Sequence, residues 1–201
     1  MAPDGGLFVP EAAPDVRAQL KDWQALPFTE LFQQIVALYM GQTLPASALQ
    51  ALVERSFSTF DHPQVTPVRR VGELFVCELF HGPTFAFKDV ALQFLGNLFE
   101  TLLQEDGRRL TIAGATSGDT GSAAIHALKG RERVEVFILF PKGRVSPMQE
   151  RQMTTVTDAN VHALAVRGSF DDAQDIVKAL FADEAFAREV SLGAVNSINW
   201  A

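Results

Sequence analysis

Two short stretches of this chain hold residue types that could do chemistry. The first is His81-Gly82-Pro83-Thr84-Phe85-Ala86-Phe87-Lys88-Asp89. Pro83 and Thr84 are helix-start residues, so Lys88 falls in the first turn of a helix expected over Phe85 to Glu105. A cation there opposes the helix dipole, and Phe85, Phe87, Val90 and Ala91 give it apolar surroundings. Both effects favour the neutral amine, the form that acts as nucleophile or base. The competing reading is an ordinary surface lysine paired with Asp89.

The second stretch is Ala115-Thr116-Ser117-Gly118-Asp119-Thr120-Gly121-Ser122, placed where a strand gives way to a helix. Hydroxyls and glycines at such a junction leave backbone N–H groups free at a helix N-terminus, which suits a carboxylate or a phosphate. The spacing is neither a Walker loop nor the Gly-x-Gly-x-x-Gly dinucleotide fingerprint. The alternative is a plain helix start capped by Asp119 or Ser117. Other residues offer less. His62, His81, His126 and His162 lack zinc-ligand spacing, so no metal site is expected. Cys77 sits in an apolar run and reads as core, and so do the 16 phenylalanines. Lys142-Gly143-Arg144 follows a strand and reads as a solvated turn.

The elements that must position these residues follow from periodicity. Leu31, Ile35, Leu38 and Tyr39 recur at helical spacing before Gly41, and Leu49, Leu52, Val53 and Phe57 repeat the pattern after Pro45. Beyond Pro67 the period changes. Strands are expected over Leu74 to Leu79, Leu110 to Ala115, Val134 to Phe140 and Val161 to Val166. Helices are expected over Thr120 to Lys129, Pro147 to Thr155 and Phe170 to Phe181. That alternation defines an α/β fold with a parallel sheet and flanking helices, preceded by a helical N-terminal segment.

Composition narrows the function classes. With 201 residues, 47% of them hydrophobic and 20% charged, the chain can bury enough apolar surface to order itself as one sizeable domain or two small ones. A net charge of -7 lacks the field that attracts nucleic acid, and no apolar run is long enough to span a membrane. One cysteine and no basic-apolar leader at Met1-Ala2-Pro3-Asp4 point to a cytoplasmic setting.

Taken together, the segments resemble the threonine synthases, a family of fold-type II pyridoxal phosphate (PLP) enzymes related to the tryptophan synthase β fold. The resemblance rests on Asp4-Gly5-Gly6-Leu7-Phe8-Val9-Pro10, on Glu78-Leu79-Phe80 through Lys88-Asp89, and on the loop from Ala115 to Gly121. Phe140-Pro141-Lys142-Gly143-Arg144-Val145-Ser146-Pro147 and Asn196-Ser197-Ile198-Asn199 extend it in the family's order. It implies that Lys88 holds PLP as a Schiff base and moves protons during conversion of O-phospho-L-homoserine and water to L-threonine and phosphate. It implies that Thr116, Ser117, Gly118, Asp119 and Thr120 grip the substrate carboxylate, with Asp119 beside the cofactor's 3′ oxygen. Asp119 stands where many fold-type II enzymes carry Asn, which favours a threonine synthase over a cysteine synthase or a serine/threonine dehydratase. Arg144, Ser146, Ser169 and Asn199 are the choices for the substrate phosphate, and no metal is implied.

The resemblance divides the chain into a helical module over residues 1–72 and a PLP-enzyme α/β region over 73–201, with about 98–190 as a smaller mobile domain. The match is to the N-terminal portion of the family, ending before its loop for the PLP phosphate. The 201 residues alone are accordingly expected to be inactive, and a non-catalytic threonine-synthase-like fragment is the alternative from another class.

Overall fold

Strands and helices alternate after Pro67 in the computed structural model of the chain, which describes residues 9–41 and 43–195. Before that point lie α1 (Leu20–Trp23), α2 (Phe28–Met40) and α3 (Ala46–Phe57). An antiparallel ribbon follows, β1 (Val68–Val71) paired with β2 (Leu74–Cys77). Then come α4 (Lys88–Asp106), β3 (Leu110–Ala115), α5 (Asp119–Leu128), β4 (Val134–Pro141) and α6 (Pro147–Thr154). β5 (Val161–Val166), α7 (Phe170–Ala182), α8 (Glu184–Glu189) and β6 (Leu192–Gly193) complete the order.

The second sheet runs β5-β4-β3-β6 and is parallel throughout. Its central strands β3 and β4 pair from Leu110 opposite Val134 to Ala115 opposite Leu139. β4 carries Val134, Val136, Ile138 and Phe140 into a core shared with Ile112, Ala123, Ile125 and Leu128. The chain leaves β3 toward β4 and β5 on one side, while β6 joins β3 on the other. The carboxyl end of β3 is therefore a point where strand order reverses, the place where open α/β sheets bind ligands.

α4 joins the two halves because it is apolar on two faces. Leu92, Leu95, Phe99 and Leu103 pack toward the sheet core, and Val90, Phe94, Leu98 and Leu102 pack against α2 and α3. Edge-on phenylalanine contacts knit the second cluster, with Phe32 touching Phe57 and Phe94 at centroid distances of 4.8 and 5.0 Å. Gly96 lets α4 cross α5 closely, since a Cβ there would overlap the Ala127 carbonyl. Asn97 Oδ1 accepts from Arg55 Nε at 2.7 Å and from Arg131 Nη2 at 2.9 Å, so α3 and the α5–β4 turn are tied through one side chain.

Several sequence expectations are corrected. The stripe of α2 that enters the core is Phe28, Phe32, Val36 and Met40, whereas Ile35, Leu38 and Tyr39 are exposed. The Phe residues cover more core volume, and tertiary packing picks that face. Residues 68–71, inside the stretch read as helical, form β1, and β2 ends at Cys77 rather than Leu79. Cys77 is exposed, because its ribbon has no covering element among the described residues. Phe75, Phe80, Phe85 and Phe87 are likewise exposed rather than core. α4 starts at Lys88, three residues later than expected, because Phe85 adopts φ +61° and breaks helical geometry.

Candidate active site

The turn that carries Lys88 is built before the helix begins. His81 lies at its entrance, with Nδ1 2.7 Å from Asp61 Oδ1 and Nε2 2.9 Å from Glu78 Oε2. The Glu78 hydrogen bond, followed by that of Asp61, raises the imidazole pKa against the effect of burial. Three residues on, the Thr84 amide donates to Asp89 Oδ2 at 2.8 Å and its hydroxyl donates to Asp89 Oδ1 at 2.7 Å. Asp89 is fully buried. Burial pushes its carboxyl pKa up, while the bonds from Thr84 and the Ala86 amide pull it down. Left-handed backbone at Phe85 costs roughly 1–2 kcal/mol. The two Thr84 hydrogen bonds to Asp89 hold the turn in that conformation.

Lys88 emerges from this turn as the first residue of α4, its side chain 16% exposed. Its Nζ donates to Asp119 Oδ2 at 3.3 Å and lies 4.4 Å from the Phe87 ring centroid. The lysine thus pairs across the fold with the second candidate stretch and not with its neighbour Asp89. Asp119 opens α5, and its other oxygen, Oδ1, accepts from the Gln149 side-chain amide of α6.

The loop ahead of α5 is shaped by Thr116 instead of by Asp119 or Ser117. Thr116 is buried, and its Oγ1 accepts from the amides of Gly118 at 3.0 Å and Gly121 at 2.8 Å. Gly118 takes the N-cap position with φ +143°, and a Cβ there would overlap the Gln149 amide. Ser117 is exposed at the tip. Thr120 faces elsewhere, into a separate hollow of about 730 Å³ bounded by β3, β6 and α7.

Between the two stretches lies a cleft of about 400 Å³ lined by residues 84–87, Asp119, Ser122, Ser146, Met148, Gln149 and Gln152. Ser146 reaches it as the N-cap of α6, accepting from the Gln149 amide. Arg144 is exposed in the preceding turn, and its charge helps lower the Asp172 pKa, after the larger effect of the Ser169 hydrogen bonds. Ser169 stands apart from the cleft: its hydroxyl is engaged in a capping box with Asp172 at the start of α7. Asn199, with the rest of Asn196-Ser197-Ile198-Asn199, and most of the opening Asp4-Gly5-Gly6-Leu7-Phe8-Val9-Pro10 motif lie outside the described residues. Gln149 and Gln152 were missed in the sequence. The only available signal was their i, i+3 spacing on a helix opened by Ser146 and Pro147.

Known proteins resemble this chain over its whole length. Residues 1–57 match the family model described as threonine synthase N terminus, and residues 60–201 match that of the pyridoxal-phosphate dependent enzymes. The threonine synthase of Schizosaccharomyces pombe is 55% identical, over 100% of this chain and 41% of the relative. A PLP-bound threonine synthase from Brucella melitensis superposes with a TM-score of 0.91 at 46% identity, over 98% of this chain and 43% of that one. The yeast threonine synthase structure gives 0.90 at 51%, over 100% and 42%. The chain therefore spans less than half the length of the relatives it matches. A cross-fold pairing of Lys88 with a helix-opening loop at the strand-order reversal, inside a region that this model matches from residue 60 onward, makes the chain a member of the pyridoxal-phosphate dependent enzyme family.

Proposed function

We propose that this chain supplies the lysine and the carboxylate loop of a threonine synthase, which turns O-phospho-L-homoserine and water into L-threonine and phosphate. One observation carries the reading: Lys88 Nζ stands 3.3 Å from Asp119, which lines the cleft at the N-terminus of α5. The donor set fits PLP. A largely enclosed primary amine is the group an aldehyde cofactor needs, and Asp119 beside it can meet the cofactor's 3′ oxygen. Bound there, PLP would act as the electron sink for charge developing on the substrate carbons.

The chain's own residues divide the remaining work. Once its amine is free, Lys88 holds and returns protons at the α and β carbons. Backbone amides at the head of α5, with Ser117, bind the substrate carboxylate, and the buried Thr116 holds that loop rigid, whereas Thr120 lines the separate hollow. Gln149 fixes the Asp119 carboxylate from the side opposite Lys88. Ser146, which lines the cleft, and Arg144, two residues before it, are the choices for the substrate phosphate. The γ C–O bond breaks with loss of phosphate, and water supplies the hydroxyl at the β carbon and a proton. Closure of the region around 98–190, which carries the loop, over the substrate would exclude water until that step. A cytoplasmic setting fits the lone exposed thiol of Cys77.

The test is phosphate release by the full-length protein. Release from O-phosphohomoserine, lost in Lys88→Ala, with no turnover of threonine or O-acetylserine, is the expected result. The reverse substrate pattern assigns the chain to a dehydratase or a cysteine synthase.

A further inference from the structure

We propose that Asp89 is the positioning residue of this site: its buried carboxylate folds the Thr84–Phe87 turn onto itself, and that turn aims Lys88 at Asp119. This inference rests on the reading of Lys88 as the cofactor-bearing lysine. Asp89 has no contact with the cleft, which is lined by the residues it holds. Thr84 gives it both an amide and a hydroxyl, and the Asp89 amide donates to the Ala86 carbonyl at 3.0 Å. Both polar groups of Thr84 thus converge on one buried carboxyl, in a turn that belongs to neither a strand ladder nor a helix. Gly82 is needed for the same closure, since a Cβ there would overlap the Asp89 side chain.

Two further features tie this turn to the site. Phe85 is held at φ +61° although nothing buries its ring, so the strain belongs to the turn and is not repaid by core packing at that position. The Thr84 carbonyl accepts from Gln152 Nε2 at 3.3 Å, which docks the turn on α6, the same helix whose Gln149 holds Asp119. One helix thus registers both walls of the cleft. His126 is the nearby titratable group. Its own burial, with Lys129 adding to the effect, favours the neutral ring, so it provides no fixed cation to replace the donors of the turn.

Four variants of the full-length protein test the idea: Asp89→Ala, Asp89→Asn, Thr84→Val and Thr84→Ser. The readouts are PLP attachment, followed by its Lys88-dependent visible absorbance, amide exchange in peptides spanning 83–88, and acylation of Lys88 relative to exposed Lys178. Asp89→Ala and Thr84→Val should slow attachment by about 100-fold, the scale of a misplaced reacting group. They should also release protection in 83–88 and speed acylation of Lys88, with α5 peptides unchanged. Asp89→Asn can still accept from the Thr84 amide and donate to its hydroxyl, and Thr84→Ser keeps both donors, so each should recover most of the attachment rate. Attachment at the wild-type rate in Asp89→Ala or Thr84→Val overturns the proposal, and so does protection lost evenly across α4 and α5. If Asp89→Ala fails to fold, the Thr84 pair decides alone. The underlying functional reading fails separately, if Lys88→Ala still shows the same absorbance with added PLP.

Discussion

The two sheets of this molecule are made of similarly apolar strands and have opposite fates. β4 reads Val134-Glu135-Val136-Phe137-Ile138-Leu139-Phe140-Pro141, and its Phe140 is 1% exposed between neighbouring strands and helices. β2 reads Leu74-Phe75-Val76-Cys77, and its Phe75 is 75% exposed on a two-stranded ribbon. An isolated hairpin is marginal in water, because its backbone bonds come without a buried face. Burial of an apolar strand is therefore a property of what covers it, and strand composition alone gives no information on that. The segment that carries Lys88 follows the weaker sheet and runs into α4, which packs on the stronger one, so it is anchored unequally at its two ends.

The largest test of this contrast is a matched pair of truncations. Phe140→Ala should cost about 3–5 kcal/mol in urea denaturation. Phe75→Ala should stay within about 0.5 kcal/mol of the parent. Equal losses would mean that the ribbon is as well packed as the parallel sheet. Next comes Gly96→Ala, which drives a methyl into the Ala127 carbonyl where α4 crosses α5. A loss of about 1–3 kcal/mol is expected there, whereas the ribbon-turn substitution Gly72→Asn, in open space, should be tolerated far better. A stabilised Gly96→Ala protein would contradict the close crossing.

A smaller effect should appear in the pH dependence of the ribbon's anchorage at His81. Its folded pKa is raised above the unfolded value, chiefly by Glu78 and then by Asp61. The stability it contributes is thus fully present below the unfolded pKa of about 6.5 and is lost as pH rises through the raised folded value. The denaturation midpoint of the parent minus that of His81→Gln, measured from about pH 5 upward so that both carboxylates remain charged, should shrink with rising pH. A difference that grows with pH would show the imidazole to be neutral in the folded protein. Smallest in its effect on the fold is Cys77. A thiol reagent should modify it in the native state without shifting the midpoint, and protection of Cys77 until unfolding would place the ribbon in a core.

The α/β class, the limits of β3 and β5, and the two candidate stretches are legible in the residues alone. Those are local matters: residue alternation and Gly and Pro breaks are written in neighbouring positions, whereas Ser169, read as a choice for the substrate phosphate, proves to be the cap of α7. Tertiary structure decided the partners. That Asp119 faces Lys88 from 31 residues away, that Gln149 holds its other oxygen, and that Thr116 rather than Asp119 secures the loop all depend on how α4, α5 and α6 meet. The same holds for the choice of the Phe28–Phe32–Val36–Met40 face of α2, for the exposure of Cys77 and for the burial of Asp89 beside Lys88. A side chain's type fixes what it can bond to. Only the packed chain fixes which of those bonds is within reach and whether water competes for it.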